Sequence, residues 1–283
     1  MKLARIIRAA LAALVFAFIL RGDAIPPERV FDRRVDSAVA GQHFNFVSWE
    51  ATAIADKLGQ ILSRDSPLSQ GRGLSPPEQK ALVLEYFSTA QRIRGFEEEV
   101  KKICSTTERE KAAQASLPLR LEVEELRRRQ EEKRDLVEAI LEEQTRRVLA
   151  SQDFGLSDFV WPPIKFRFSR TPLYLVISPR QAIEVSKAVY LWPDIALEER
   201  EAIEEEIDRT FDVSSLIVGV GGLGAYPTMI AETPSLQWVL ETTAHEWTHN
   251  YLAFKPLGWH YDDSYQLRTM NETVASIVGD EVG

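Results

Sequence analysis

The spacing of apolar residues along this chain changes twice, and each change predicts a different architecture. The first segment is an uncharged apolar run, Ala9 to Leu20, preceded by Lys2, Arg5 and Arg8. Basic residues ahead of a short apolar stretch have the form of a secretory signal or signal anchor. Residues 1–24 are therefore expected to direct the rest of the chain out of the cytoplasm. The strictly apolar run is shorter than the ~20 residues of a spanning helix. Counting from Ile6, with Arg8 and Arg21 snorkelling, lengthens it. Gly22-Asp23-Ala24 offers a weak small-x-small cleavage pattern, so a membrane-anchored and a secreted product both fit.

From Trp49 to about Ala150 the apolar positions recur at helical spacing. A helix is predicted around Trp49 to Leu62. The stretch "RDSPLSQGRGLSPPEQK" is dense in Ser, Pro and Gly and reads as a surface loop. At its end, Ser75-Pro76-Pro77-Glu78 combines an N-cap hydroxyl, first-turn proline and a capping-box glutamate. A helix should begin there and run through "KALVLEYFSTAQRIR". Leu117 to about Ala150 reads as one long helix or two collinear ones. Leu119, Val123 and Leu126 form one stripe; Leu136, Val137, Ile140, Leu141 and Val148 form another. The interval between them, "RRRQEEKRD", has no apolar residue and suits a solvated face or a hairpin tip. No sustained heptad favours a dimeric coiled coil.

After Ser151 the period shortens. "PPIKFRF" and "TPLYLVIS" are brief, β-rich and bounded by proline. A helix is predicted from Asp194, as N-cap, through Leu197, Ile203, Ile207 and Phe211. "SLIVGVGGLGAYPTMIAE" suggests two strands broken by glycines, and a further helix follows. The fold class is thus α+β: a mostly helical region over 25–150 and a second domain over 151–283.

Composition narrows the function more than the fold. At 283 residues and 45% hydrophobic, the chain can build one large domain or two modest ones. A net charge of -9 argues against nucleic acid as the main partner, because phosphate binding uses clustered Lys and Arg. Cys104 is the sole cysteine, which excludes an intrachain disulfide. In a helical stretch it reads as a small core hydrophobe.

The candidate chemistry lies in "ETTAHEWTHNYL". His245-Glu246-Trp247-Thr248-His249 fits HExxH. Four residues make about one helical turn, so both imidazoles share a face and can reach one Zn²⁺. Glu246 is then placed to act as general base on a water. On a helical wheel Leu236, Leu240, Ala244, Trp247 and Tyr251 fall within roughly 80° and form the core stripe. His245 and His249 fall together about 150° from its centre, flanked by Trp238 and Leu252. A catalytic zinc takes a third protein ligand. Glu272 in "TMNETVASIVGDEVG" is the best candidate, with Asn271 as helix N-cap or close to it. Ser276, Gly279 and Gly283 follow on the face of Glu272, a small-residue strip suited to close helix packing. Asp262, Asp263, Asp280 and His260 are the alternatives for that ligand.

HEWTH followed by NETVA resembles the zincin metallopeptidases of the gluzincin type. The Glu-x-x-Ala pattern at Glu272–Ala275 looks more like membrane-associated zincins and predicted aminopeptidases than like thermolysin, in which an Asp stands where this chain has Ser276. The resemblance covers Leu216 to Gly283. It implies a zincin-like domain, a His-His-Glu zinc site, a peptide or protein substrate and peptide hydrolysis. It also implies that "GAYPTMIAE" is an edge strand to which an extended substrate adds; an interior strand is the alternative. Such enzymes carry an oxyanion-stabilising residue beyond the glutamate ligand, whereas here the sequence stops eleven residues after Glu272. Either it is a fragment or Tyr261, Tyr265 or His260 takes that role. A non-catalytic envelope scaffold with an inactive zincin-like end is the rival reading. A zinc hydrolase acting on a non-peptide amide is a third.

Overall fold

The computed structural model describes residues 30–63, 66–106, 109–156, 159–182 and 184–283. The expected signal or anchor segment lies outside these residues. Among the described residues, no helix is long and apolar enough to cross a membrane. The structure is mixed α/β, with helices predominating and the strands gathered in small sheets, as the α+β expectation requires.

In chain order the helices α1 (Val30–Ala38), α2 (Phe46–Leu62), α3 (Pro67–Gly73), α4 (Pro76–Thr106) and α5 (Arg109–Ser151) come first. The strands β1 (Gly155–Leu156), β2 (Phe159–Val160), β3 (Phe166–Ser169), β4 (Leu173–Pro179) and β5 (Lys187–Leu191) follow. Then come α6 (Leu197–Phe211), β6 (Val213–Gly219), β7 (Gly222–Leu223), β8 (Thr228–Ala231), α7 (Leu236–Leu252), α8 (Pro256–Trp259) and α9 (Tyr265–Val282).

Contacts divide the chain into two compact units, and neither is bounded at the expected residue 150. One unit comprises, among the described residues, 30–49 and 172–219. In it β4 is the middle strand of an antiparallel sheet, ordered β5-β4-β6. Alternation along β4 buries Leu173, Leu175 and Ile177 against Ile203 and Ile207 of α6, Val35 of α1 and Val39 just after it. β5, "KAVYL", was not anticipated. α6 starts later than expected: Ala196 holds its N-cap position without a side-chain cap, and Asp194 lies outside the helix.

The other unit comprises residues 50–171 and 220–283. α4 begins at the predicted capping box: the Ser75 N–H and hydroxyl donate to Glu78 Oε2 at 2.7 and 2.6 Å. Leu117–Ala150 belongs to a single helix of 43 residues, α5, which begins earlier and contains Pro118. Val83, Tyr86 and Phe87 of α4 bury against Val137, Ile140 and Leu141 of α5. Phe166 and Phe168 of β3 close the same core, which is why α5 belongs with the strands after residue 150. Cys104 is exposed, contrary to the core reading; its Sγ accepts from Arg120 Nη2 at 3.6 Å. The surrounding end of α4 is largely exposed and has no core for it to enter.

The second sheet has the order β3-β8-β7, with β3 parallel and β7 antiparallel to β8. The stretch expected at an edge, "GAYPTMIAE", therefore supplies the middle strand; β7 is an edge instead. At the opposite edge, α5 supplies acceptors to β3. Phe166 N–H donates to Glu142 Oε1 at 3.1 Å and Phe168 N–H to Glu138 Oε1 at 2.8 Å. Lys57 of α2 pairs with both carboxylates, at 2.6 Å to Glu138 and 2.9 Å to Glu142, and Lys165 also pairs with Glu142. A sheet edge is a row of unpaired backbone groups; here buried side chains satisfy one of the two rows.

Candidate metal centre

The α7 helix is set by its buried face. Its N-terminus is capped by Ser235, whose Oγ accepts from Trp238 N–H at 3.2 Å. Val239, Ala244 and Trp247 are fully or almost fully buried. The Trp247 indole donates to the Pro162 carbonyl at 2.8 Å, and Asn250 Nδ2 donates to the Ala225 carbonyl at 3.0 Å. These bonds fix the helix to the segments that lead into β3 and β8, leaving His245 and His249 on another face.

The α9 helix crosses α7 closely because glycine faces it. A Cβ on Gly279 would stand 2.9 Å from the Glu241 carbonyl and 3.3 Å from His245 Cβ. One on Gly283 would stand 2.5 Å from Glu241 Cγ. The small-residue face read from the sequence thus lets the two backbones approach and carries Glu272 to the histidines.

The result is a three-atom cluster. His245 Nε2 and His249 Nε2 are 3.1 Å apart, and Glu272 Oε2 lies 3.5 Å from each. Three donors on a tetrahedral zinc at 2.0–2.1 Å would be separated by about 3.3 Å. The side chains therefore already outline the coordination triangle of a small ion. Among the described residues, these three form the group that can hold a metal.

The surrounding bonds orient the side chains of this cluster. Asn271 Nδ2 donates to the Leu257 carbonyl at 3.3 Å, so its Oδ1 faces His249 Nδ1 at 2.8 Å. That contact is a bond only if His249 carries its proton on Nδ1, which leaves the Nε2 lone pair toward the triangle. Asn271 is not the predicted cap: Ser264 caps α9, accepting from Leu267 N–H at 3.2 Å, and Asn271 is buried within the helix. Its adjacency to Glu272 and helical spacing to Ala275 were visible in the sequence; its partner Leu257, on a separate helix, was not. Burial lowers the His249 pKa, but the hydrogen bond and charge of Glu272 outweigh it, leaving the pKa raised. Hydrogen bonds from His245 and His249 hold the Glu272 carboxyl far below its usual range.

Glu246 sits beside this triangle against a glycine strand. A Cβ on Gly222 would come within 2.9 Å of Glu246 Oε1, and one on Gly224 within 3.5 Å of Oε2. The glycines read as strand breakers are positions where β7 and its flank press on α7. Burial raises the Glu246 pKa, opposed by the two histidines. A raised pKa makes this carboxyl a stronger base toward a water proton than an ordinary surface glutamate.

The other candidates separate clearly. Tyr261 donates its hydroxyl to Glu272 Oε1 at 2.6 Å, and burial raises its pKa, helped by Glu272. Tyr265 is 79% exposed. His260 and Asp263 pair at 2.6 Å on the surface, Asp262 pairs with Arg268 at 2.6 Å, and Asp280 is exposed. None of these four joins the triangle. Comparison with protein-family models, with curated proteins and with solved structures finds no match.

Proposed function

We propose that this chain is a zinc-dependent peptidase with a zincin-like domain, using His245, His249 and Glu272 as ligands and Glu246 as general base. The observation that carries the reading is the 3.1, 3.5 and 3.5 Å triangle with a half-buried carboxyl of raised pKa next to it. Zinc, when bound, supplies a Lewis acid that polarises a carbonyl and acidifies water. Glu246 takes a proton from the attacking water and returns it to the amine nitrogen as the peptide bond breaks. Tyr261, of the three oxyanion candidates, is the one hydrogen-bonded to a ligand. β7, an edge strand beside Glu246, offers backbone groups along which an extended peptide can lie. Export, with anchoring or secretion through residues 1–24, belongs to the same reading.

The test is metal content of the purified chain beside His249→Ala and Glu272→Ala. About one zinc per chain is expected from a three-ligand site, with loss or sharp weakening in both variants. A folded wild type that takes up no zinc would sink the proposal. Zinc-loaded protein that leaves every peptide library untouched would favour the scaffold reading.

Asn271→Ala should weaken zinc about 10–100-fold, the range for removing a bond that orients a histidine ligand. Competition with a chromophoric chelator measures it, and circular dichroism checks that α9 remains. An unchanged affinity would remove Asn271 from the metal centre.

A further inference from the structure

A second site lies on a different face of α7. Tyr251 stacks on Trp247 at 5.4 Å, and beyond it a cavity of about 330 Å³ opens between the end of α5, Gly155 and Phe159 of the paired strands β1 and β2, and the segment after α7. Three of its rings are unusually open: Phe159 is 60%, Trp161 41% and Phe254 39% exposed. They are nevertheless ordered on one another. Phe159 and Trp161 are near-parallel at 6.3 Å, and Phe254 lies 6.2 Å from Trp161. Rings held together but left facing water mark a binding surface rather than core.

Two opposite charges line the same cavity. Lys255 Nζ stands 5.0 Å from the centroid of the Tyr251 ring. Asp153 follows α5 at the left-handed position of a Schellman ending, with φ 61° and the Phe154 N–H reaching back to the Leu149 carbonyl at 3.2 Å. Glycine is the usual residue there because a side chain is strained in that conformation. Asp153 thereby places a carboxylate in the cavity wall. Among the described residues, neither Asp153 nor Lys255 forms an ion pair.

We propose that this cavity binds a phospho-ammonium zwitterion of the phosphocholine type. A quaternary ammonium is weakly hydrated and is attracted to aromatic faces; Phe159, Trp161 and Phe254 provide them, and Asp153 supplies the counter-charge. Lys255 pairs with the phosphate. A purely apolar occupant would leave both charges unused, and a simple cation would meet repulsion from Lys255. The site is independent of the zinc reading. The same headgroup occurs free in solution and on a lipid, and the chemistry of the pocket is common to both.

The test is calorimetric titration of the full chain, held in a maltoside detergent, with phosphocholine, choline, inorganic phosphate and the short-chain lipids dihexanoyl phosphatidylcholine and dihexanoyl phosphatidylglycerol. Saturable phosphocholine binding is expected. Trp161→Leu and Asp153→Asn should each weaken it by about fivefold or more, the scale of one desolvated cation–π or charge contact. Lys255→Met should weaken phosphocholine but not choline. Binding of the choline lipid at least as tight as free phosphocholine assigns the source to a membrane; binding of the free compound alone assigns a soluble ligand. No saturable phosphocholine binding overturns the proposal. So does equal binding of the two lipids, which would make the rings a non-specific apolar surface, or binding unchanged in all three variants.

Discussion

Glu246→Gln should retain zinc and lose peptide hydrolysis, with kcat falling by about 10²–10⁴-fold, the usual contribution of a positioned general base. The amide has nearly the volume of the carboxyl, so it fits against Gly222 and Gly224 without moving β7. It is also neutral, and burial already disfavours the charged form of Glu246, so folding should not suffer. The variant therefore isolates proton transfer from metal binding and from packing. A zinc assay run beside a peptide-library assay reads both. Wild-type cleavage by the variant would show that another group moves the proton.

The contrast with His249→Ala is informative because it separates two kinds of failure. That variant removes a proposed ligand and leaves Asn271 Oδ1 without the His249 Nδ1 contact at 2.8 Å. Activity should be lost there together with zinc. Loss of activity with zinc retained, as expected for Glu246→Gln, belongs to the base alone.

The sequence disclosed the parts of this centre that are local and concealed those that are not. The HExxH spacing puts two imidazoles on one turn whatever surrounds them, so His245 and His249 are legible from the chain alone. Glu272 was legible because a small-residue face follows it, and Gly279 and Gly283 do meet α7 there. Asn271 was misplaced as a cap. Its role depends on Leu257 and His249, which only the packing of α8 and α9 brings to it. The glycines at 222 and 224 read as strand breaks because their reason, the approach to Glu246, is tertiary. The residue-150 boundary failed for a similar reason. A change of period marks a change of secondary structure, but α5 buries its apolar face against β3 across that change.

Fold stability should depend most on a group with no place in the chemistry. Lys57→Met is expected to destabilise the protein by about 3–5 kcal/mol near neutral pH, the cost of removing one partner from a buried ion pair. Lys57 is 5% exposed and Glu138 fully buried, and the lysine is the cation paired with Glu138. Glu138 cannot simply turn to water, because it also accepts from the Phe168 N–H that seals the edge of β3. Its pKa is already raised by burial, and the charge and hydrogen bond of Lys57, followed by the Phe168 N–H, pull it back. Without Lys57 it rises further. The folded variant then binds more protons than the unfolded chain at every pH between the ordinary glutamate value of about 4.3 and the raised one. Stability of the variant must therefore fall as pH rises through that window, and its deficit relative to wild type must shrink on acidification. Urea unfolding at pH 5 and pH 8 tests both the size and the sign. A loss below about 1 kcal/mol at pH 8 would put Lys57 with ordinary surface pairs. A deficit that grew toward pH 5 would mean that Glu138 is not the group left uncompensated.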